Sequence, residues 1–430
     1  MISLLGIFVF LLFSWVLSSH KKSISWKLII NALLLQLVLA VLVLGIPKLG
    51  IPGLLEPLFQ YINIFFVKIL EFTDEGTKFL FGPLLDTTKM GGLVIALKIL
   101  PTIIFFSALM AAAYYLGIIQ KIIHSISWIT QKILGTSPAE TLSASANIFV
   151  GQTEAPLIIR PYLNSMTSSE LLSVMTAGMA TVAGGVMAAY VSLLEGINPN
   201  IAGHLLSASV MSVPAALLVS KLILPETQKT ETTSKEKISI KTEDANLLEA
   251  LTRGTLEGLQ LAFNVGAMLL VFIALIAMSN YVLLEFGQLI NFDHWGKNLT
   301  PSVLLNDNQA ELSLELIFSW IFYPVAWLMG IPKEDCALAA VMLGQKISLN
   351  EFVAYLSLSQ YGKQLSDSSF IIMSYALCGF ANFSSIAIQI GGIGSLAPKR
   401  RSEIAALGIR AMIGGSLAAF LTACVVALFI

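Results

Sequence analysis

The chain has 430 residues, 56% of them hydrophobic and only 12% charged, with a formal net charge of −1 and a mean hydropathy of +0.82. A soluble globular domain carries roughly 25% charged residues, so this composition excludes that class and leaves a polytopic membrane protein. The net charge argues neither for nor against nucleic acid, but no basic stripe interleaved by aromatics suggests such a partner, and that class is discounted.

In chain order, apolar runs of about 20 residues, the length that crosses a ~30 Å hydrocarbon core, predict eight spans at 1–18, 28–46, 95–117, 171–194, 203–224, 260–283, 368–395 and 405–430. The first reads as a span rather than a cleaved leader. No Lys or Arg precedes it, and it exits through Ser18-Ser-His-Lys-Lys22. Residues 51–91, where Asp74-Glu-Gly-Thr-Lys78 interrupts aromatic flanks, suit a helix lying in the interface. Residues 139–165 and 335–363 each hold an apolar arm, a Gly and polar centre and a second arm. Each arm is too short to cross alone, so both read as re-entrant hairpins, tolerated at membrane depth only where buried in protein or lining a cavity. Glu226 to Asp244 is a charge-mixed, flexible linker. Residues 311–330 fit either a further span or a tilted helix at the outer face.

The basic residues orient these elements. Lys21, Lys22 and Lys27, then Lys121 and Lys132, then Lys229, Lys235, Lys237 and Lys241, then Lys399, Arg400 and Arg401 fall on one side, whereas the opposite loops hold only Lys297. Positive charge stays inside, which predicts an N-terminus outside the inner (plasma) membrane. Asp74, Glu75 and the residues from Lys399 to Arg401 are assigned to solvated interface.

Each hairpin precedes a Gly-interrupted span and then a plain span, and the two units enter from opposite faces. The expected fold is therefore all-α: eight spans, two re-entrant hairpins in an inverted repeat, and interfacial helices. Residues 1–92 form scaffold helices and 93–138 the third span with its cytoplasmic connection. Residues 139–225 form a first transport repeat, 226–334 a linker, sixth span and outer helix of the scaffold, and 335–430 a second transport repeat. Broken segments at matching positions of two halves point to a midplane substrate site.

The candidate site follows. The first hairpin offers Asn147, Gly151, Gln152, Thr153 and Glu154; the second offers Gln345, Asn350 and Glu351; the interrupted spans offer Thr181, Phe380, Asn382, Ser384 and Ser385. A carboxylate in the membrane costs roughly 2.5–3.5 kcal/mol or more, so it must meet a cargo or a partner. Carboxylates accept from vicinal hydroxyls in charge-assisted bonds and a Phe packs against a heterocycle; a nucleoside has both parts. The competing reading pairs Glu154 and Glu351 with Lys346 or Arg160, and treats Thr181, Ser384, Ser385, Val186 and Phe380 as packing. Cys336, Cys378 and Cys424 read as small packing residues, and His20, His124, His204 and His294 have no metal-ligand spacing. An intramembrane enzyme lacks a completing motif, and a passive channel would show a symmetric filter or charged rings.

Gly151-Gln-Thr-Glu-Ala-Pro-Leu-Ile-Ile-Arg-Pro-Tyr-Leu163, Lys346-Ile-Ser-Leu-Asn-Glu-Phe-Val-Ala-Tyr355 and Cys378-Gly-Phe-Ala-Asn-Phe-Ser-Ser-Ile386, with echoes in Phe72 to Gly82, resemble the signature stretches of the concentrative nucleoside transporter family, bacterial sodium-coupled type. The resemblance runs from about residue 93 to the end. It implies an eight-span subunit of a homotrimer whose transport domain moves like an elevator, importing nucleosides such as uridine, cytidine or adenosine. It also implies that Gly151, Gln152, Thr153, Glu154, Val186 and Phe380 face the nucleobase, and that Glu351, Asn382 and Ser385 hold the ribose. A coupling Na+ would be bound by Asn147, Thr181 and the carbonyls of Val150 and Val182, with no other cofactor. Some members of that family use protons instead; the intact Asn147 and Thr181 favour sodium.

Overall fold

A computed structural model describes residues 2–46, 50–85, 95–230, 244–306 and 309–430. Among these the chain is helical, with no strand. The helices are α1 (Ile2–Val16), α2 (Trp26–Leu44), α3 (Glu56–Phe81), α4 (Ile95–Tyr115), α5 (Ile118–Leu134), α6 (Pro138–Ala146), α7 (Ala155–Ile158), α8 (Ser168–Ala180), α9 (Gly184–Leu194), α10 (Ile201–Ile223), α11 (Leu247–Leu289), α12 (Phe292–Trp295), α13 (Leu314–Leu328), α14 (Lys333–Ser348), α15 (Glu351–Tyr361), α16 (Asp367–Leu377), α17 (Phe383–Leu396) and α18 (Arg401–Ala427). Six helical stretches among the described residues are long and apolar enough to cross a membrane, the pair α8–α9 counting as one of them. The first expected span, α1, has 15 residues, about 22 Å at 1.5 Å per residue, and the seventh is divided into α16 and α17.

One order of elements occurs twice: a helix, a break and a second helix; then a broken helix; then a long unbroken one. It appears in α6 to α10 and again in α14 to α18. Local chemistry sets the starts. Ser137 and Thr167 each close a capping box with the residue three further on, Glu140 and Glu170. Asn350, Ser366 and Asn382 cap α15, α16 and α17. The return arm of the first hairpin is less helical than the sequence reading implies. Only four residues form α7, and a short 3-10 turn, Arg160–Tyr162, follows, because Pro161 lacks the N–H that would continue the helix.

α8 and α10 are buried nearly throughout, α18 is buried mainly from Ala411 onward, and the three form the centre. They approach closely through small residues, as membrane helices do: a Cβ placed on Gly415 of α18 would sit 2.7 Å from Met179 Cβ of α8. A second close seam joins α11 to α4. Gly254, Gly258 and Ala262 recur every fourth residue along α11, and a Cβ on Gly258 would lie 2.8 Å from Ile104 Cα. Few other α11 side chains are buried; Phe263, Leu270, Met278 and Phe286 point outward, as on a lipid-facing surface.

Two expectations, the extent of the sixth span and the place of Arg400, need correction. The sixth span, read as 260–283, is a 43-residue helix; the hydropathy signal ends where polar residues begin, but Asn246 caps the helix thirteen or so residues earlier and Arg253 pairs with Glu257 one turn on at 2.9 Å. Arg253 also grips Asp244 with two bonds of 2.8 Å, which holds that carboxyl below its usual range. The 311–330 region, read as a further span or a tilted helix, is α13, bent 118° from α14, and both readings stand. Arg400, expected in solvated interface, is largely covered: it donates to the carbonyls of Leu163 and Met166 and to Glu403, tying the base of the first hairpin to α18. In α3 one stripe (Asn63, Phe66, Ile69 and Leu70, Thr73, Thr77) is buried and the other faces are not, the pattern of a helix lying on a surface. Residues 86–91 of that expected interfacial segment, and Lys235, Lys237 and Lys241 of the linker, lie outside the described residues.

Candidate functional site

The two broken helices cross at their breaks. α8 stops at Ala180, Thr181 and Ala183 are extended, and α9 begins at Gly184. α16 stops at Leu377, and Gly379 takes a φ of +141°. A Cβ there would lie 2.8 Å from the Met179 carbonyl oxygen, so glycine is required both by conformation and by contact. The first hairpin tip reaches the same place: Gly184 N–H donates to Phe149 O at 3.0 Å.

Around this crossing lies a cavity of about 200 Å³. Gly151, Gln152, Thr153, Glu154, Val186, Phe380, Glu351, Asn382 and Ser385, the nine residues predicted to meet a solute, all line it. Asn350 and Ser384 join them. Asn350 explains the placement of Glu351: its Oδ1 accepts from Val353 N–H at 2.9 Å, which starts α15 and sets Glu351 in the first turn, at the positive end of the helix.

The carboxylates are held by neutral donors. Glu351 Oε1 accepts from Tyr190 OH at 2.9 Å and Oε2 from Asn382 Nδ2 at 3.0 Å. Asn382 Oδ1 in turn accepts from Ser385 N–H at 2.9 Å and from the Ser384 hydroxyl at 2.6 Å. Gln152 Nε2 donates to Ser385 Oγ at 3.1 Å, joining the first hairpin to α17. Glu154 Oε2 accepts from Gly151 N–H at 3.0 Å, closing its own turn, and the side chain is exposed where it lines the cavity. Neither carboxylate is ion-paired among the described residues. Lys346 is wholly buried but donates to Ala376 O at 2.8 Å, and Arg160 is exposed. The competing structural pairing is therefore absent from this arrangement.

The four residues predicted to hold a cation sit beside the cavity rather than in its lining. Asn147 ends α6, donates from Nδ2 to Ser143 O at 3.0 Å, and keeps its Oδ1 buried with no partner among the described residues. Thr181 ends α8 and donates to Ala177 O at 2.9 Å. Val182 is buried and Val150 partly so. Neutral oxygens at a helix end and an unwound break suit a hard monovalent cation. No grouping of His, Cys, Asp and Glu among the described residues suits a transition metal, and the three cysteines are free and buried.

Sequence reasoning did not single out the apolar wall of the cavity, Leu261, Val265, Met268 and Leu269 of α11, nor Tyr190, nor Gln389. A signal existed for Gln389 alone: an amide one turn beyond Ser385 in an otherwise apolar stretch.

Comparison with known proteins follows the same lines. Residues 204–427 match the sequence family described as Na+ dependent nucleoside transporter C-terminus, residues 5–84 its N-terminal counterpart, and residues 96–196 a nucleoside-recognition family. An uncharacterized transporter of Haemophilus influenzae is 43% identical over 370 residues, covering 84% of this chain and 83% of that protein. Sodium/nucleoside cotransporter 1 of Rattus norvegicus is 40% identical over 99% of this chain, which spans 63% of the rat protein. CNTnw, solved in an inward-facing substrate-bound state, is 40% identical with a TM-score of 0.87, covering 100% of this chain and 98% of that one. A variant of it in an outward-facing state aligns equally well, at 39% identity and a TM-score of 0.87.

Proposed function

We propose, since the chain belongs to the family of Na+-dependent nucleoside transporters, that it imports nucleosides such as uridine, cytidine or adenosine by symport with Na+. It is a helical multi-pass membrane transporter and not an enzyme. In this reading α1, α2, α4, α8–α9, α10, α11, α16–α17 and α18 are eight spans of an inner-membrane subunit with its N-terminus outside. α6–α7 and α14–α15 are re-entrant hairpins, and three subunits assemble. The basic loops support the orientation, and the repeated order of elements supports the pairing of the two hairpin repeats.

The observation that carries the reading is Glu351: a buried carboxylate in the first turn of α15, bonded among the described residues to Tyr190 and Asn382, opening on a cavity that also holds Phe380. Its remaining lone pairs take the ribose hydroxyls. Phe380 and Val186 flank the base, whose edge meets Gly151, Gln152, Thr153 and Glu154, while Asn382 and Ser385 donate to the sugar. Na+ sits at Asn147, Thr181 and the carbonyls of Val150 and Val182, so that the ion completes the floor against which the first hairpin tip closes. The α11 wall stays with a scaffold while the two repeats slide as one body, an elevator; the relatives solved in inward- and outward-facing states support that motion.

Proteoliposomes test it. With Na+ high outside, labelled uridine should accumulate above its external concentration, and collapse of the sodium gradient should release it. Accumulation that follows a proton gradient and ignores sodium would overturn the ion assignment; simple equilibration would overturn symport.

A further inference from the structure

Gln389 lies on α17, wholly buried behind the cavity wall. Its Nε2 donates to two oxygens, the Met175 carbonyl at 2.9 Å and Gln152 Oε1 at 3.1 Å. These assignments follow from chemistry alone. A backbone carbonyl only accepts, so the Gln389 atom that faces Met175 must be nitrogen. The second N–H of that nitrogen then requires an oxygen on Gln152, and the Gln152 nitrogen is turned toward Ser385 Oγ, 3.1 Å away. A second anchor works from the opposite end. The Ser385 N–H only donates, so the Asn382 atom facing it is oxygen, and Asn382 Nδ2 is turned to Glu351.

Two backbone groups, one from each repeat, thus fix which atoms the cavity wall presents. With Gln152 Oε1 engaged by Gln389 and its nitrogen turned to Ser385, what this amide has left to offer a base is its second N–H. We propose that Gln389 is a specificity-determining positioning residue, which by fixing the Gln152 amide makes that stretch of the base-facing edge a donor. A donor there suits a base that presents an acceptor, as uracil does with its O4 carbonyl. Cytosine presents an amino group at the same place and leaves donor facing donor, an arrangement that strands buried polar groups. The inference rests on the nucleoside reading above.

Gln389→Glu tests it, because the new carboxyl cannot donate to Gln152 in its ionised form, and in its protonated form spends its one proton on Met175. The Gln152 amide must then turn over and show its oxygen along the edge. Apparent affinities for labelled uridine and labelled cytidine, measured in proteoliposomes at saturating Na+, should shift in ratio toward cytidine by about tenfold. Gln389→Met keeps the size, adds no charge and removes the anchor; it should bring the two affinities closer together, and it carries the test if the acidic variant does not fold. A packing defect would weaken both nucleosides alike, so an unchanged ratio in the folded variants overturns the assignment. Absence of nucleoside uptake by the unaltered protein would instead sink the functional reading, a distinguishable result.

Discussion

Glu140 and Glu351 are both buried carboxylates near the start of a hairpin arm, yet their surroundings differ. Glu140 Oε2 lies 2.8 Å from Lys221 Nζ, and its Oε1 accepts from Ser137 N–H at 2.9 Å. Lys221 also reaches Ser169 at 3.0 Å and Glu226 at 3.4 Å, and Glu226 accepts from the Thr167 hydroxyl at 2.7 Å. That cluster is closed upon itself and rivets α6, α8 and α10 together. Glu351 instead meets two neutral donors and a cavity. A buried charge answered by a charge is a structural joint; one answered only by neutral donors keeps acceptor capacity for a guest.

Variants at the two places should therefore fail in different ways. The largest effect belongs to the rivet. Lys221→Met leaves Glu140 buried without its counter-ion and should destabilise the protein by about 3–5 kcal/mol, read as a lowered thermal midpoint in detergent. Adding Glu140→Leu should restore much of that loss, and a single variant as stable as the parent would show the joint to be idle. Next comes Glu351→Gln. Losing a hydrogen bond to a charged acceptor should weaken uptake of every nucleoside by about 10- to 100-fold, with the thermal midpoint held or raised; unimpaired uptake contradicts the ribose role. Tyr190→Phe sharpens the contrast, since it removes one neutral donor from Glu351 without touching the cavity lining. Apparent affinity should fall by about fivefold, and no change would mean that Tyr190 does not hold the carboxylate. The smallest effect on nucleoside affinity is expected from Thr181→Val. It should raise the Na+ concentration for half-maximal uptake several-fold while leaving uptake at saturating Na+ near normal, and an unaltered sodium dependence would remove Thr181 from the ion site.

The polar half of the cavity was legible in the sequence because Gln152, Glu154, Glu351, Asn382 and Ser385 stand out in a lipid-soluble chain. Membrane depth makes each polar group conspicuous, whatever its fold. The apolar half was not: Leu261, Val265, Met268 and Leu269 belong to a helix whose outward surface carries the same residue types, and only the crossing of α11 with the two repeats distinguishes them. Tyr190 was hidden for a related reason, since a lone tyrosine in an apolar span looks like packing until its hydroxyl is seen on Glu351. Among the helices, runs such as α10 and α18 were plain, whereas hydropathy recovered only the central part of α11 and missed the division of the first hairpin's return arm at Pro161. Arg400 was misplaced because basic residues in a loop orient a membrane protein by number, and nothing in that count shows which one folds back onto Leu163 and Met166.

The most direct test is an experimental structure of the purified protein with uridine and Na+ bound. The account predicts the ribose hydroxyls within hydrogen-bond distance of Glu351, with the base between Phe380 and Gln152. A nucleoside bound elsewhere, or Glu351 found paired with Lys346 and the cavity closed, would contradict it.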